Sequence, residues 1–149
     1  MKVYEVLDLI KDQLQLDDFV NTVTQGSIDD IDLIKQTMYP LSHIMINQAT
    51  LEGNLWRFSI TVFCMDIVDI SKDETTDIFI GNDNEQDVLN TQLAVIARMN
   101  EVLQDGANRM NYTVDGDVTC EPFTERFENY LAGWACTFDL IIQNDMSSC

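Results

Sequence analysis

The chain has 149 residues, 46% of them hydrophobic and only two of them proline, which suits a single domain over 1–149 with a sizeable core. Its 26 acidic residues stand against 8 basic ones, a net charge of −18. Such a field repels phosphate at long range, which argues against ordinary groove or backbone binding to nucleic acid and against anionic membrane surfaces.

The N-terminal stretch 2–14 places Val3, Val6, Leu7, Leu9, Ile10 and Leu14 at helical spacing, with charged residues largely opposite. It predicts an amphipathic helix. Phe19–Thr24 is a weak strand candidate closed by a Gln25-Gly26-Ser27 turn, and 28–38 reads either as a helical turn or as an acidic loop. After Tyr39-Pro40, Leu41–Asn47 reads as a strand, and Glu52-Gly53-Asn54 as a turn. Leu55–Asp69 is the clearest strand, with Trp56, Phe58, Ile60, Val62 and Cys64 on one face and Arg57, Ser59 and Thr61 on the other. Its far half adds Phe63, Met65 and Ile67 to that second face, so the far half is expected to be covered on both sides.

Ser71–Asp77 is charged and nearly devoid of apolar side chains, the composition of an exposed loop. Asn82-Asp83-Asn84 offers N-caps for a long helix over 85–105, stopped by Asp105-Gly106. The reading assigns Val88, Leu89, Leu93, Ile96, Ala97, Asn100 and Leu103 to its apolar stripe. Two strands follow, Asp117–Glu121 and Ala135–Ile142, joined by an aromatic-rich connection. The order predicts an α+β fold: a mostly antiparallel four-stranded sheet packed with an N-terminal helix and one long central helix.

Few residues invite chemistry. His43 is the only histidine, has no nucleophile partner nearby in sequence, and reads as structural. The serines lie in no GxSxG context. Three acidic clusters, Asp29–Asp32, Asn82–Asp87 and Asp115-Gly116-Asp117, lack EF-hand spacing and read as solvated loops or a helix start. The four cysteines, at 64, 120, 136 and 149, form no CxxC pair, and Cys64 and Cys136 fall in apolar alternating runs as small hydrophobes. No catalytic residue, cofactor or metal is expected. No run approaches the roughly 18 apolar residues of a membrane helix. Residues 1–5 also lack the basic and apolar parts of a signal peptide, so a reduced, intracellular, soluble protein is the default.

Residues 121–134 hold Phe123, Phe127, Tyr130, Leu131 and Trp134, with Arg126 between Glu125 and Glu128. Such a stretch is too aromatic for a flexible linker. Arg and aromatic residues are enriched in interface cores, which makes Arg126, Phe127, Tyr130 and Trp134 subunit-interface candidates. A local surface ion pair at Arg126 is the plainer alternative, adding about 0–1 kcal/mol.

The helix–strands–helix–strands order, with the segment Glu125–Trp134 leading into a last strand and the terminal Cys149, resembles the tail-terminator and tail-completion proteins of tailed bacteriophages, which also occur among neck proteins. The resemblance implies a non-enzymatic virion protein made in the host cytoplasm. It would form a ring, typically a hexamer, between the head–tail connector and the tail-tube proteins, with duplex DNA passing through unbound. The acidity suits that role, since a carboxylate-lined channel does not grip phosphate. The alternative from another class is an acidic DNA-mimic inhibitor of a nucleic-acid-binding enzyme. It fits less well, because Gln92–Asn100 of the long helix carries no carboxylate. A small enzyme with an unrecognised acid pair is a third reading, which a deep pocket holding two close carboxylates would support.

Overall fold

A computed structural model describes residues 3–26, 39–67, 85–109, 112–126 and 130–143. The ambiguous stretch 28–38, the loop Ser71–Asp77, the cap Asn82–Asn84 and Phe127 lie outside the described residues. Two helices and five strands follow in the order α1 (Val3–Leu16), β1 (Thr22–Gln25), β2 (Leu41–Glu52), β3 (Leu55–Ile67), α2 (Glu85–Arg109), β4 (Tyr112–Arg126) and β5 (Tyr130–Gln143). They build one open sheet in the order β1-β2-β3-β5-β4. The fold is α+β, as the sequence predicts, but the sheet has five strands rather than four.

The extra strand is β1, which pairs parallel to β2 while every other pairing is antiparallel. Four residues make a marginal strand, and side-chain bonds from β2 secure it. The Thr24 hydroxyl meets Nδ1 of the fully buried His43 at 2.7 Å, and His43 Nε2 lies 2.8 Å from the Gly26 carbonyl oxygen. A carbonyl can only accept, so Nε2 carries a proton, and in the neutral ring Nδ1 then accepts from the Thr24 hydroxyl. His43 is therefore a structural clasp, as its isolation in the sequence suggests.

The last two strands correct the sequence reading more strongly. The stretch read as a connection over 121–134 is mostly ladder: β4 runs to Arg126 and β5 begins at Tyr130, in continuous register from Thr119↔Thr137 to Arg126↔Tyr130. The one irregularity is a shift between Asp115 and Thr119, where Gly116 takes φ +71°. Gly133 is an interior strand residue, where any Cβ would collide with the Cys64 carbonyl oxygen and come within 2.8 Å of Met65 Cα. Its missing side chain lets β5 lie close against β3, so it does not mark a turn.

The core lies between one sheet face and the two helices. Val6, Leu7, Ile10 and Leu14 of α1 meet Val95, Ile96, Met99 and Leu103 of α2 over Ile60, Val62, Phe138, Leu140 and Ile142. The expected α2 stripe holds in part: Val88, Ile96 and Leu103 are buried, but its other members sit to one side of the buried face. Leu93 is 40% exposed and Ala97 is exposed, while Gln92, Val95 and Met99 are buried. Nor does α2 stop at Asp105. Gly106 is inside the helix, where an added Cβ would strike the Tyr112 hydroxyl and lie 2.9 Å from Leu9. That hydroxyl instead donates to the Leu103 carbonyl at 2.5 Å, tying the start of β4 to the helix.

On the opposite sheet face, Tyr39, Leu41, Met65 and Leu131 form a second buried cluster, with Phe63 and Ile67 against it. The far half of β3 is thus buried on both faces, as its sequence predicts. The near half is polar on this side. Asn47 donates to Thr61 at 2.7 Å, and Thr61 meets Thr137 at 3.2 Å.

Candidate interaction surfaces

At the corner between α1 and β1, the helix ends and Asp17 turns the chain. The Asp17 carboxylate accepts from the Phe19 N–H at 3.0 Å, a local turn that Asp favours. It also accepts both Arg98 branches, Nε at 2.6 Å and a terminal nitrogen at 2.8 Å. The carboxylate side chain is 2% exposed and that of Arg98 is 40% exposed. Burial by itself would raise the Asp17 carboxyl, but the Arg98 hydrogen bond, the Phe19 N–H and the Arg98 charge outweigh it and hold the group below the ordinary carboxylate range. The guanidinium also stands 5.5 Å from the Phe19 ring centre. Gln13, Leu16, Asp17, Asp18, Phe19 and Arg98 line an open notch of about 300 Å³. Leu16 is 78% exposed and Phe19 49%. A rigid, charge-fixed corner therefore presents two large apolar side chains to its surroundings.

The β2–β3 hairpin forms a second surface at the other end of the sheet. From Ile46 onward every residue of β2 is exposed, and Leu51 and Leu55 flank the turn in the open. β1 enters the sheet beside Leu41, and Asn21 and Thr22 N–H both reach the Pro40 carbonyl. The Phe19 corner and the Leu51–Leu55 tip thus sit at opposite ends of β2, about 35 Å apart at strand rise.

Between them, Arg57 is the hub of the polar sheet face. It donates to Glu52 at 2.9 Å, to Asp139 at 3.3 Å and, most closely, to Asp115. The hydrogen bonds it donates to Asp115 and Glu52 fix it firmly in its charged form. The bonds tie the hairpin end to β5 and β4. In the third acidic cluster, Asp115 is therefore engaged by the Arg57 guanidinium. Among the described residues no three His, Cys, Asp or Glu side chains converge as a metal would require.

The four interface candidates distribute unevenly. Arg126 and Tyr130 pair across the closing end of the β4–β5 hairpin, with their side chains outside the description, as is all of Phe127. Trp134 is half-buried against the main core, and its indole N–H donates to the Leu89 carbonyl at 2.7 Å. It anchors β5 to α2 inside the subunit. Sequence reasoning overlooked the corner and the hairpin tip. The signal was present at Asp17-Asp18-Phe19, a turn carrying an unexplained aromatic. The Arg98 partner, 81 positions away, carries no local trace.

Among the described residues no helix is long and apolar enough to cross a membrane. No protein-family model matches the sequence, and no curated protein matches it either.

Proposed function

We propose that this chain is a structural subunit of a ring at the head–tail or neck junction of a tailed bacteriophage, capping the tail tube around the DNA passage. The observation that carries the assembly is the pair of unlike apolar surfaces at opposite ends of β2: Leu16 and Phe19 at one, Leu51 and Leu55 at the other. A rotational ring needs two different surfaces on each subunit, because contact is head to tail. The virion setting rests on the resemblance of element order and of the Glu125–Trp134 segment. The charge of −18 per subunit suits a lining that lets phosphate slide past.

The test uses two surface variants, Leu16→Ser with Phe19→Ser, and Leu51→Ser with Leu55→Ser. Light scattering across a concentration series should give a closed oligomer for the wild type and monomers for each variant. A mixture of the two variants retains one intact contact and should stop at the dimer. A wild type that stays monomeric at high concentration, or variants that assemble normally, would overturn the ring. Tight, salt-sensitive binding to a DNA-processing enzyme would point to the DNA-mimic reading instead.

A further inference from the structure

We infer that Cys120 and Cys136 form an oxidisable cross-strand pair, a site that a small-molecule disulfide converts into an intrachain cystine stapling the outer strand β4 to β5. The inference stands apart from the ring reading, since it depends only on the fold. Cys120 and Cys136 are direct partners in the antiparallel register. Such residues have Cα atoms about 4.5–5.5 Å apart, within the roughly 4.4–6.8 Å that a disulfide spans. Both side chains belong to the main core cluster and so share the helix-covered face of the sheet.

The two thiols differ in access. Cys136 is fully buried, whereas Cys120, on the sheet's outer strand, is partly exposed. Cys64 is the nearby competitor. It is fully buried, sits opposite Trp134 rather than opposite a thiol, and accepts a hydrogen bond from the Ser42 hydroxyl at 3.6 Å. Entry is therefore through Cys120, and closure falls to Cys136.

The chemistry is an ordinary exchange. The Cys120 thiol gives its proton to solvent and attacks one sulfur of the small disulfide. The disulfide bond breaks, and the departing thiolate takes up a proton. Cys136 then loses its proton and attacks the Cys120 sulfur, expelling the second thiolate. Two cysteine thiols are oxidised to one cystine, and one disulfide is reduced to two thiols. Burial pushes the Cys136 thiol pKa up, so the closing step is slow and quickens at alkaline pH.

Full-length protein carrying Cys149→Ser removes the one cysteine outside the described residues and keeps the other three. Incubation with glutathione disulfide at pH 8.5 should remove two hydrogens from the mass and leave one free thiol. Peptide mapping should join Cys120 to Cys136, and the urea midpoint should rise and return on reduction. Adding Cys120→Ser should block bridging, and because the mapping is done with Cys120 present, a folding defect in that variant does not affect it. A lasting glutathione adduct without closure, a bond to Cys64, or three unreacted thiols would each overturn the inference.

Discussion

The Asp17–Arg98 pair makes a prediction whose sign and asymmetry both come from the geometry. The carboxylate is buried and the guanidinium is not. Removing the acid (Asp17→Asn) frees an arginine that can rehydrate through its exposed side. The loss is then the charge-assisted bonds, which screening at a 40% exposed group reduces to about 1–2 kcal/mol. Removing the base (Arg98→Met) leaves a buried carboxylate with only the Phe19 N–H among the bonds described above. The cost approaches the lower end of the roughly 3–5 kcal/mol seen when one member of a buried pair is deleted. We therefore predict that Arg98→Met is the more damaging change. The pH dependence separates the two causes. In the wild type the folded carboxyl lies below its ordinary value near 3.8, so the pair stabilises above that value and is lost as pH falls through the folded one. In Arg98→Met burial dominates and raises the carboxyl, so protonation relieves the penalty as pH falls. Urea titrations followed by tryptophan fluorescence at pH 7, 5 and 4 should show the gap between Arg98→Met and wild type shrinking with acid. An equal cost for both variants, or a gap constant with pH, would mean that solvent screens the pair and that the corner is not charge-fixed.

Three further outcomes are expected. Gln92 is 1% exposed with its side-chain oxygen unpartnered, so Gln92→Met, measured by the same urea titration, should stabilise by about 1–3 kcal/mol. Gly133→Ala must push the Cys64 carbonyl and Met65 backbone apart; thermal unfolding should show a loss of about 3 kcal/mol or more, since backbone cannot step aside as a flexible side chain would. With −18 on every subunit, self-association should strengthen as salt rises towards 0.15 M, where the Debye length is about 8 Å, and Arg126→Glu should weaken it while circular dichroism stays unchanged.

The sequence is most legible where a single face is buried. The helix α1 and the alternation of β3 follow from apolar spacing and the β2–β3 turn from Glu52-Gly53-Asn54, although β2 runs to Glu52 where the sequence reading ends it at Asn47. The stripe of α2 follows only in part: Val88, Ile96 and Leu103 are buried as read, but the buried face also passes through Gln92, a polar residue in a core position, while Leu93 beside it is exposed. A hydrophobicity count prefers Leu93. The β4–β5 hairpin is hidden for a different reason. Residues 121–134 mix Pro122, Gly133 and aromatic residues in the manner of a packed loop. Only the close approach of β5 to β3 at Gly133 shows that the glycine serves a ladder. β1 signals itself only weakly, as the candidate Phe19–Thr24, and it depends on a histidine 19 residues away from Thr24. The interaction surfaces are the least legible part. Exposure of Leu16, Leu51 and Leu55 is a property of the assembled sheet, and the turn at Asp17-Asp18-Phe19 is the one local hint of the corner.

The placement of the few cations bears on what such a surface can meet. Among the described side chains, Lys11 stands 4.0 Å from Asp8, Arg57 is shared among three carboxylates, and Arg98 is held by Asp17. Each positive group described is thus committed to an acid of the same subunit. Local pairing with a second anionic copy must then come from apolar contact or from cations elsewhere in the chain. The apolar corner and the hairpin tip supply the first, and Arg126, at the end of the outer hairpin, is a candidate for the second. A basic partner faces no such difficulty, because the exposed carboxylates of Asp117 and Glu121 lie along the outer strand. The same acids discourage β4 from pairing edge to edge with another β4, since like charges would be brought face to face. Self-association through this strand is thereby disfavoured. For the ring proposed above, the two ends of the sheet are therefore better placed as subunit contacts than the acidic β4 edge.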